Sequence, residues 1–158
     1  MNRIRLRRLL DADFKQVLEL VQDSDVMRYL GNQQPLTHKE AVAWFNEEIT
    51  LTTRFAIALA DSDEFIGICG IKSKGELHDF NCFVRRAYWQ KGYATEACHA
   101  FIAMANVIPE INEMEIFIAN DNHASQHLAK KLGYVAFLPS HSDRGDGHLY
   151  RLNLADHP

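Results

Sequence analysis

Features that would place a protein in a membrane or outside the cell are absent from this sequence. No apolar run approaches the roughly 20 residues that are needed to cross a bilayer. The first residues, MNRIRLRR, lack the apolar core of a signal peptide. We therefore expect a cytoplasmic protein that has no membrane partner.

Cysteine is scarce, and the few thiols show no motif. Cys69, Cys82 and Cys98 are odd in number, have no close spacing, and each lies in an apolar segment. Buried thiols are therefore expected rather than disulfides or metal ligands. His123 and His127 are four residues apart, but they lack an intervening glutamate and a third ligand of defined spacing. We expect no metal, and we interpret both histidines as surface residues.

An excess of positive charge is also missing. The 17 lysines and arginines are outnumbered by 21 aspartates and glutamates, which gives a formal net charge of −4. Non-specific binding to nucleic acid needs a basic surface that displaces counterions, so nucleic acid is not an expected partner. Some basic residues nevertheless flank two segments that could receive an anion, although a solvated face is the alternative: Arg85, Arg86, Lys91, Lys130 and Lys131.

The chain has the size of a single hydrophobic core. Its 158 residues are 47% hydrophobic and 24% charged, which suffices for one core and is too little for two. We find no internal repeat and no low-complexity tract. The sequence therefore predicts one domain over residues 1–158.

Hydrophobic periodicity predicts an α+β chain with the element order β-α-α-β-β-β-α-β-α-β-β. Strands are predicted at 4–7, 54–60, 65–72, 77–84, 114–119, 134–138 and 148–154, with a polar loop at 139–147. The second helix has a capping box of Thr37 and Glu40, the third covers 95–108 and stops before Pro109, and the last ends at Gly133. The third helix and its two flanking strands form a crossover, whose open end is expected to bind a ligand.

The rest of the chain is organised around the stretch 84–97. It passes from an apolar strand through a turn that contains the small residues Gly92 and Ala94 into the third helix. A helix that begins there directs unpaired backbone N–H groups and a partial positive charge at whatever lies over the turn. This stretch is therefore predicted to bind phosphate.

Three segments together resemble a known family: YWQKGYATEA at 88–97, NHAS at 122–125 and KLGY at 131–134. Their order and spacing are similar to those of the GNAT superfamily of acetyl-CoA-dependent N-acetyltransferases. The chain is most similar to its RimJ/RimL branch, the ribosomal-protein N-terminal acetyltransferases, in which Trp89 is usual. The resemblance extends over nearly the whole chain, including IRLR at 4–7 and DVMRYL at 25–30. It implies a GNAT-like α+β fold, with a mixed, mostly antiparallel sheet of about seven strands, a central β-α-β crossover and flanking helices.

The resemblance implies that acetyl-CoA is the co-substrate. Backbone N–H groups of the loop would bind the coenzyme A pyrophosphate: Gln90, Lys91, Gly92, Tyr93, Ala94 and Thr95. The loop of the family commonly has glycine where this sequence has Gln90. The strand 77–84 would pair with the pantetheine arm through the main chain of Phe83 and Val84, while the strand from Met114 splays away to admit it.

Further coenzyme contacts are implied on the short last helix. Asn122, Ser125 and Ala129 lie at positions i, i+3 and i+7, which share one helix face. Asn122 is implied as an amide contact, and a helix cap is an equally weighted role for it. Lys131 contributes a positive charge near the end of this helix.

Acetyl transfer to an amine needs a base, because an alkyl ammonium has a pKa of roughly 10.4 and an α-amino group one near 8. The acidic candidates near the reacting end of the strand are Glu76 and Asp79, with His78 between them, and Asp79 is favoured. Solvated turn or edge-strand positions are the alternative for each. Many family members have a tyrosine at the position of Ala129 that protonates the departing thiolate, and the branch suggests Ser125 as its substitute.

The acceptor is expected to be a primary amine, either on a protein N-terminus or in a small molecule. It would receive the acetyl group directly, without a covalent enzyme intermediate. The segments 26–35 and 140–147 would determine the acceptor, but their sequences show no pattern that identifies it. A non-catalytic acyl-CoA-binding or regulatory module of the same fold is the alternative, and Ala129 supports it. The sequence does not indicate an oligomeric state.

Overall fold

A computed structural model of the protein describes residues 2–28, 34–74, 77–142 and 145–152. Within these ranges the strands are β1 (Ile4–Arg7), β2 (Arg54–Leu59), β3 (Phe65–Lys74), β4 (Leu77–Val84), β5 (Glu115–Ala119), β6 (Tyr134–Ser142) and β7 (Gly145–Leu152). The α-helices are α1 (Phe14–Val21), α2 (Ser24–Met27), α3 (His38–Glu48), α4 (Tyr93–Ile102) and α5 (His123–Lys131). Short 3₁₀ turns cover Asp11–Asp13, Arg86–Tyr88 and Pro109–Asn112.

The strands form two antiparallel sheets, with the orders β1-β2-β3-β4 and β5-β7-β6. β4 and β5 are joined through α4 by the predicted crossover, yet no ladder connects these two strands within the described ranges. Each therefore presents an unpaired edge on one side. The predicted α+β class and the central β-α-β crossover are confirmed, and the expected single sheet is divided at this opening.

Each face of the four-stranded sheet is covered by helices. α4 packs on one face, where Phe101 and Cys98 join Ile71, Ile118 and Tyr134 in a core that reaches the second sheet. The opposite face carries a second core, which contains Val17 and Leu20 of α1, Phe45 of α3, and Phe65 and Ile68 of β3. The sheet is thus fixed from both sides, which holds its free β4 edge in place.

Local capping follows the sequence pattern. Thr37 Oγ1 accepts from the Glu40 N–H at 3.1 Å, and Glu40 Oε1 accepts from the Thr37 N–H at 2.9 Å, as the predicted capping box requires. Gly133 follows α5 with φ of +84°, the left-handed conformation expected of a residue that ends a helix. These two boundaries are set by nearest neighbours in the sequence.

Two predicted boundaries are wrong. α4 ends at Ile102, followed by turns, although Ile108 still packs into the core and so continues the apolar period. The predicted loop 139–147 lies largely in the β6–β7 hairpin, with Pro139 opposite His148 and Ser142 opposite Gly145. Proline is tolerated there because β6 is the edge strand of its sheet. No helix among the described residues has both the length and the apolar character that would carry it across a membrane.

Candidate functional site

The free edge of β4 is the framework of the site, and its main-chain groups alternate in direction. The N–H and C=O groups of successive β3 residues point alternately to β2 and to β4. The Ile71 N–H points to the β2 side, where it donates to Thr53 O at 2.9 Å. The main-chain groups of Ile68, three residues earlier, therefore point to β4. Ile68 is opposite Phe83, whose main-chain groups therefore face β3. The groups of Cys82 and Val84 consequently point to the open edge, whereas those of Phe83, the predicted pantetheine contact, do not.

The start of α4 supplies unpaired N–H groups at the end of this edge. The first bond inside the helix runs from the Glu96 N–H to Gly92 O at 3.1 Å. The N–H groups of Tyr93, Ala94 and Thr95 precede it, and the described part of the chain offers them no acceptor. They lie at the positive end of the helix dipole, which is the arrangement that binds an anion.

The turn before α4 is open above its backbone. Gly92 has φ of +80°, and within 4 Å a Cβ built on it would meet, among the residues that the structure describes, only Arg3 Nη2, at 3.3 Å. Gln90 has φ of +61°, a left-handed conformation that is uncommon for any residue with a side chain. This explains why glycine is the commoner residue in the loop that this segment resembles. The fold holds Gln90 in this left-handed conformation.

Arg3 was missed by sequence reasoning and lies at the mouth of the turn. Its backbone N–H and its Nε donate to the two carboxylate oxygens of Glu96, at 3.0 and 3.1 Å. Its Cζ is 4.4 Å from the centroid of the Tyr93 ring. Arg3 thus neutralises an acid in the first turn of α4 and adds a cation beside Gly92. The only sequence signal was its place at the start of β1, far along the chain from the turn.

The cations that were predicted around the site have different environments. Arg85 Nη2 pairs with Glu19 at 2.5 Å, and its Nη1 donates to Phe65 O at 2.9 Å. Arg86 pairs with Asp23 and Asp25 at 3.0 Å each. The charges of these two arginines are therefore compensated by protein groups.

Lysines remain at the surface around both segments. Lys91 Nζ is 5.7 Å from the centroid of the Tyr88 ring, and Lys91 is exposed beside the turn. Lys130 and Lys131 are exposed in the last turn of α5, where positive charge is favourable to the helix dipole. Lys91 is thus the lysine that adjoins the N–H groups of α4.

Trp89 closes part of the β4 edge. Its Nε1 donates to Val84 O at 2.7 Å, while 41% of the residue is exposed. The indole therefore occupies the carbonyl of Val84 and leaves the Val84 N–H and the main chain of Cys82 facing the opening. It also fixes the turn relative to the strand.

α5 begins just after the end of β5. Asn122 Oδ1 accepts from the Ser125 N–H at 3.3 Å, so the capping role that was weighed for Asn122 is present. Gln126 Nε2 donates to Ala119 O and to Asn120 O, both at 2.9 Å, and thereby ties the helix to the end of β5. Ser125 is half-buried on this helix.

The proposed acids and bases lie at the other end of β4. Asp79 is exposed, opposite Lys72 of β3, and accepts from Asn81 Nδ2 at 3.4 Å. His78 is held more firmly, because its Nδ1 is 2.8 Å from Ser73 Oγ and its Nε2 is 3.7 Å from Glu113 Oε2. Glu76, the other predicted base, lies outside the described residues.

Other residues singled out in the sequence lie away from the edge or in the core. Tyr134 is buried, and its burial, followed by the thiols of Cys98 and Cys69, raises its pKa. Ala129 is buried on the face of α5 that packs into the core. His123 and His127 are both exposed, as expected.

Comparison with known proteins identifies relatives of this arrangement. The sequence pattern of the family described as "Acetyltransferase (GNAT) domain" matches residues 3–135. The uncharacterized protein YkkB of Bacillus subtilis (strain 168) is 29% identical over 141 residues, which are 84% of this chain and 81% of that protein.

Two solved structures share the fold. A GNAT-family acetyltransferase from Bacillus anthracis has a TM-score of 0.79 at 21% identity, covering 94% of this chain and 93% of that one. The spermidine N-acetyltransferase from Vibrio cholerae, solved in complex with CoA and spermine, has a TM-score of 0.76 at 18% identity, covering 94% of each chain. At such identities the likeness concerns the fold alone.

Proposed function

Because the chain belongs to the GNAT acetyltransferase family, we propose that it transfers the acetyl group of acetyl-CoA to a primary amine. The observation that carries the proposal is the opening between β4 and β5, which ends at the three unpaired N–H groups of Tyr93, Ala94 and Thr95. Main-chain donors along a strand edge suit the amides of a pantetheine arm, and a helix N-terminus suits a pyrophosphate. The whole chain, 1–158, acts as one acetyltransferase domain in the cytoplasm.

In this proposal the coenzyme is held mainly by the main chain. The turn from Gln90 to Gly92 and the first N–H groups of α4 receive the pyrophosphate, with Arg3 and Lys91 as flanking cations. Val84 and Cys82, rather than Phe83, offer their edge groups to the pantetheine amides. On the β5 side, Asn122 and Ser125 line the opening, and Lys131 adds positive charge.

Proton transfers are assigned to side chains. Asp79 takes the proton of the acceptor ammonium, directly or through a water, so that the neutral amine can attack the thioester carbonyl. His78, whose ring is oriented by Ser73, is a second candidate for this role. The Ser125 hydroxyl protonates the departing thiolate, although a thiol with a pKa of about 8.5 also leaves as the thiolate. The acetyl group passes to the amine in one step, without a covalent enzyme intermediate.

Two acceptor classes are supported by different observations. The similarity of the turn around Trp89 to the RimJ/RimL branch favours the α-amino group of a protein N-terminus. The shared fold with the Vibrio cholerae spermidine N-acetyltransferase favours a polyamine. The first class is our proposal, and the second is its competitor in the experiment below.

The test measures thiol release from acetyl-CoA in the presence of N-terminal peptides, polyamines and amino sugars. We expect release above the background rate with peptides that begin with a small residue. If polyamines alone accelerated thiol release, the N-terminal acceptor would be rejected, while the proposal of acetyl transfer would stand.

A binding measurement separates the enzyme from the rival module that Ala129 suggests. Saturation with acetyl-CoA at 100 times its dissociation constant should stabilise the protein by about 2.7 kcal/mol. Stabilisation without transfer to any acceptor would favour a non-catalytic acyl-CoA-binding module. Absence of stabilisation would reject both functions.

A further inference from the structure

The three cysteines of the chain, which are far apart in sequence, meet in the core beside the open edge. Cys69 lies on β3, Cys82 on β4 and Cys98 on α4, and their Sγ atoms are all within 4.8 Å of one another. Cys69 and Cys98 are buried, and Cys82 is half-buried. These are all the cysteines that the sequence contains, so every thiol of the protein belongs to this cluster.

The register of the sheet explains why two of the sulfurs are adjacent. Cys69 and Cys82 are directly opposite each other, and the alternation described above makes them a non-hydrogen-bonded pair. Side chains of such pairs approach most closely in an antiparallel ladder. α4 crosses the same face, where Cys69 Sγ and Cys82 Sγ lie 3.8 Å from Ala97 O and Ala94 O, respectively. The cluster is therefore fixed by three elements of the fold.

A buried oxygen without a partner adjoins the cluster. Tyr134 is 3% exposed, and its hydroxyl has no hydrogen-bond partner in the described part of the chain. A buried hydroxyl that makes no hydrogen bond is costly and calls for an explanation. Tyr134 belongs to the same buried core as Cys69 and Cys98. A thiolate at either position would be an acceptor for it.

We propose that Cys69, Cys82 and Cys98 form a binding site for a thiophilic metal ion, with monovalent copper as its occupant. Thiolates select soft ions such as Cu(I) and Zn(II). Three sulfurs at about 2.3 Å from one ion are about 4 Å apart, which the observed cluster allows. No histidine or carboxylate joins the sulfurs among the described residues, so the site supplies three ligands, whereas structural zinc takes four.

The chemistry of loading involves no change of oxidation state. Each sulfur that coordinates the ion gives its proton to solvent, and the bond that forms is metal–sulfur. The Tyr134 hydroxyl then donates to a coordinated thiolate and loses its unpartnered state. Cys82, half-buried on the open edge of β4, provides the entry path for the ion. This site does not depend on the proposed acetyl transfer.

The test titrates the reduced full-length protein with Cu(I) alone, and separately with Zn(II) alone, in the absence of oxygen. We expect one Cu(I) per chain after desalting, a thiolate-to-copper absorption band and a raised Tm, with weaker binding of Zn(II). Cys98→Ala, and independently Cys69→Ser, should weaken Cu(I) binding at least tenfold. Tyr134→Phe should keep the stoichiometry and lower the affinity.

A matched control removes two exposed histidines, four residues apart on α5, that could bind copper in place of the thiols. The double variant His123→Gln and His127→Gln, on the exposed face of α5, should bind Cu(I) as the parent protein does. Undiminished binding in Cys98→Ala, or loss of binding in the histidine variant, would overturn the proposal.

The parent protein alone provides a decisive measurement if the cysteine variants do not fold. Bound Cu(I) should slow the alkylation by iodoacetamide of Cys82, the half-buried thiol of the cluster, in the native protein. A parent protein that shows neither a thiolate-to-copper band nor this protection would reject the site.

Discussion

The two ends of the open β4 edge are built in different ways. At the end that meets α4, the shape is made by the main chain: a left-handed Gly92, a left-handed Gln90 and three N–H groups that have no acceptor in the described part of the chain. At the opposite end, the groups able to move a proton are side chains, namely Asp79 and the His78 that contacts Ser73 and Glu113. The first end is a backbone structure, and the second is an assembly of side chains from separate elements.

Under the proposed function, the two ends would recognise the two substrates in different ways. A main-chain site recognises features that every acyl-CoA carries, and it tolerates changes of sequence as long as the turn keeps its shape. A side-chain site is changed by single substitutions and can be adapted to different acceptors. Variants at the two ends should therefore affect different kinetic constants.

The largest effect is expected at the side-chain end, from Asp79→Asn. If Asp79 takes the acceptor proton, kcat should fall by about 100-fold or more, while the affinity for acetyl-CoA stays unchanged. Steady-state kinetics and the thermal shift with acetyl-CoA measure the two quantities. Asp61→Asn removes the same charge from the exposed β2–β3 turn and should have no effect. An unchanged kcat in Asp79→Asn would exclude Asp79 as the base and leave His78 as the candidate. The kcat of His78→Gln would then test that role.

The next effect is expected at the main-chain end, from Gly92→Asn. Asparagine tolerates the left-handed conformation, so the variant should fold, but its side chain enters the space above the turn. We expect the dissociation constant of coenzyme A to rise by about 30-fold, which is about 2 kcal/mol. Gly145→Asn is the matched control, because Gly145 also has a positive φ, of +99°, and its Cβ position is open. Equal affinity for coenzyme A in both variants would contradict the assignment of the phosphate site to this turn.

A smaller effect is expected from Arg3→Gln, which removes the one side chain that lies within 4 Å of the Cβ position of Gly92 among the described residues. The loss leaves Glu96 uncompensated beside the bound phosphates, and coenzyme A should bind about five- to tenfold more weakly, or about 1 kcal/mol. The effect should shrink at high ionic strength, since Arg3 is exposed. Calorimetric titration at two salt concentrations measures it. Arg5→Gln, on the same face of β1 and paired with Asp63, should bind coenzyme A normally.

The smallest effect is expected from Gln90→Gly, which should raise the free energy of unfolding without altering the site. The left-handed conformation costs a residue with a side chain about 1–2 kcal/mol, and the greater freedom of glycine in the unfolded chain offsets part of this. We expect a net stabilisation of under about 1 kcal/mol, a rise in Tm of about 2–4 °C at most. Lys91→Gly, at a neighbour without a positive φ, should instead lower Tm. A lower Tm for Gln90→Gly would contradict the strain assigned to this residue.

The same contrast explains what the sequence could and could not predict. The turn at Gly92, the capping box at Thr37 and the cap at Gly133 depend on residues within a few positions, so their patterns are readable. Arg3 reaches the start of α4 only through the strand order β1-β2-β3-β4. The direction of the Phe83 main chain likewise depends on the register between β3 and β4.

The cysteine cluster shows most clearly how a site can depend on strand register. Cys69 and Cys82 become neighbours only when the β3–β4 hairpin pairs as it does, and a shift by one residue would place them on opposite faces. Cys98 joins them because α4 crosses that face. Spacing along the chain therefore indicated isolated thiols, and the fold brings them together.

The unpaired edges of β4 and β5 also concern how the protein behaves in concentrated solution. A strand edge with free N–H and C=O groups is a template for pairing with another molecule, and here two such edges border one opening. A ligand that lies along the opening would cover these edges and so hinder self-association. We therefore expect the ligand-free protein to scatter more light with rising concentration and temperature, and saturating acetyl-CoA to suppress it. Equal scattering in both states would show that the edges are already protected by their neighbours.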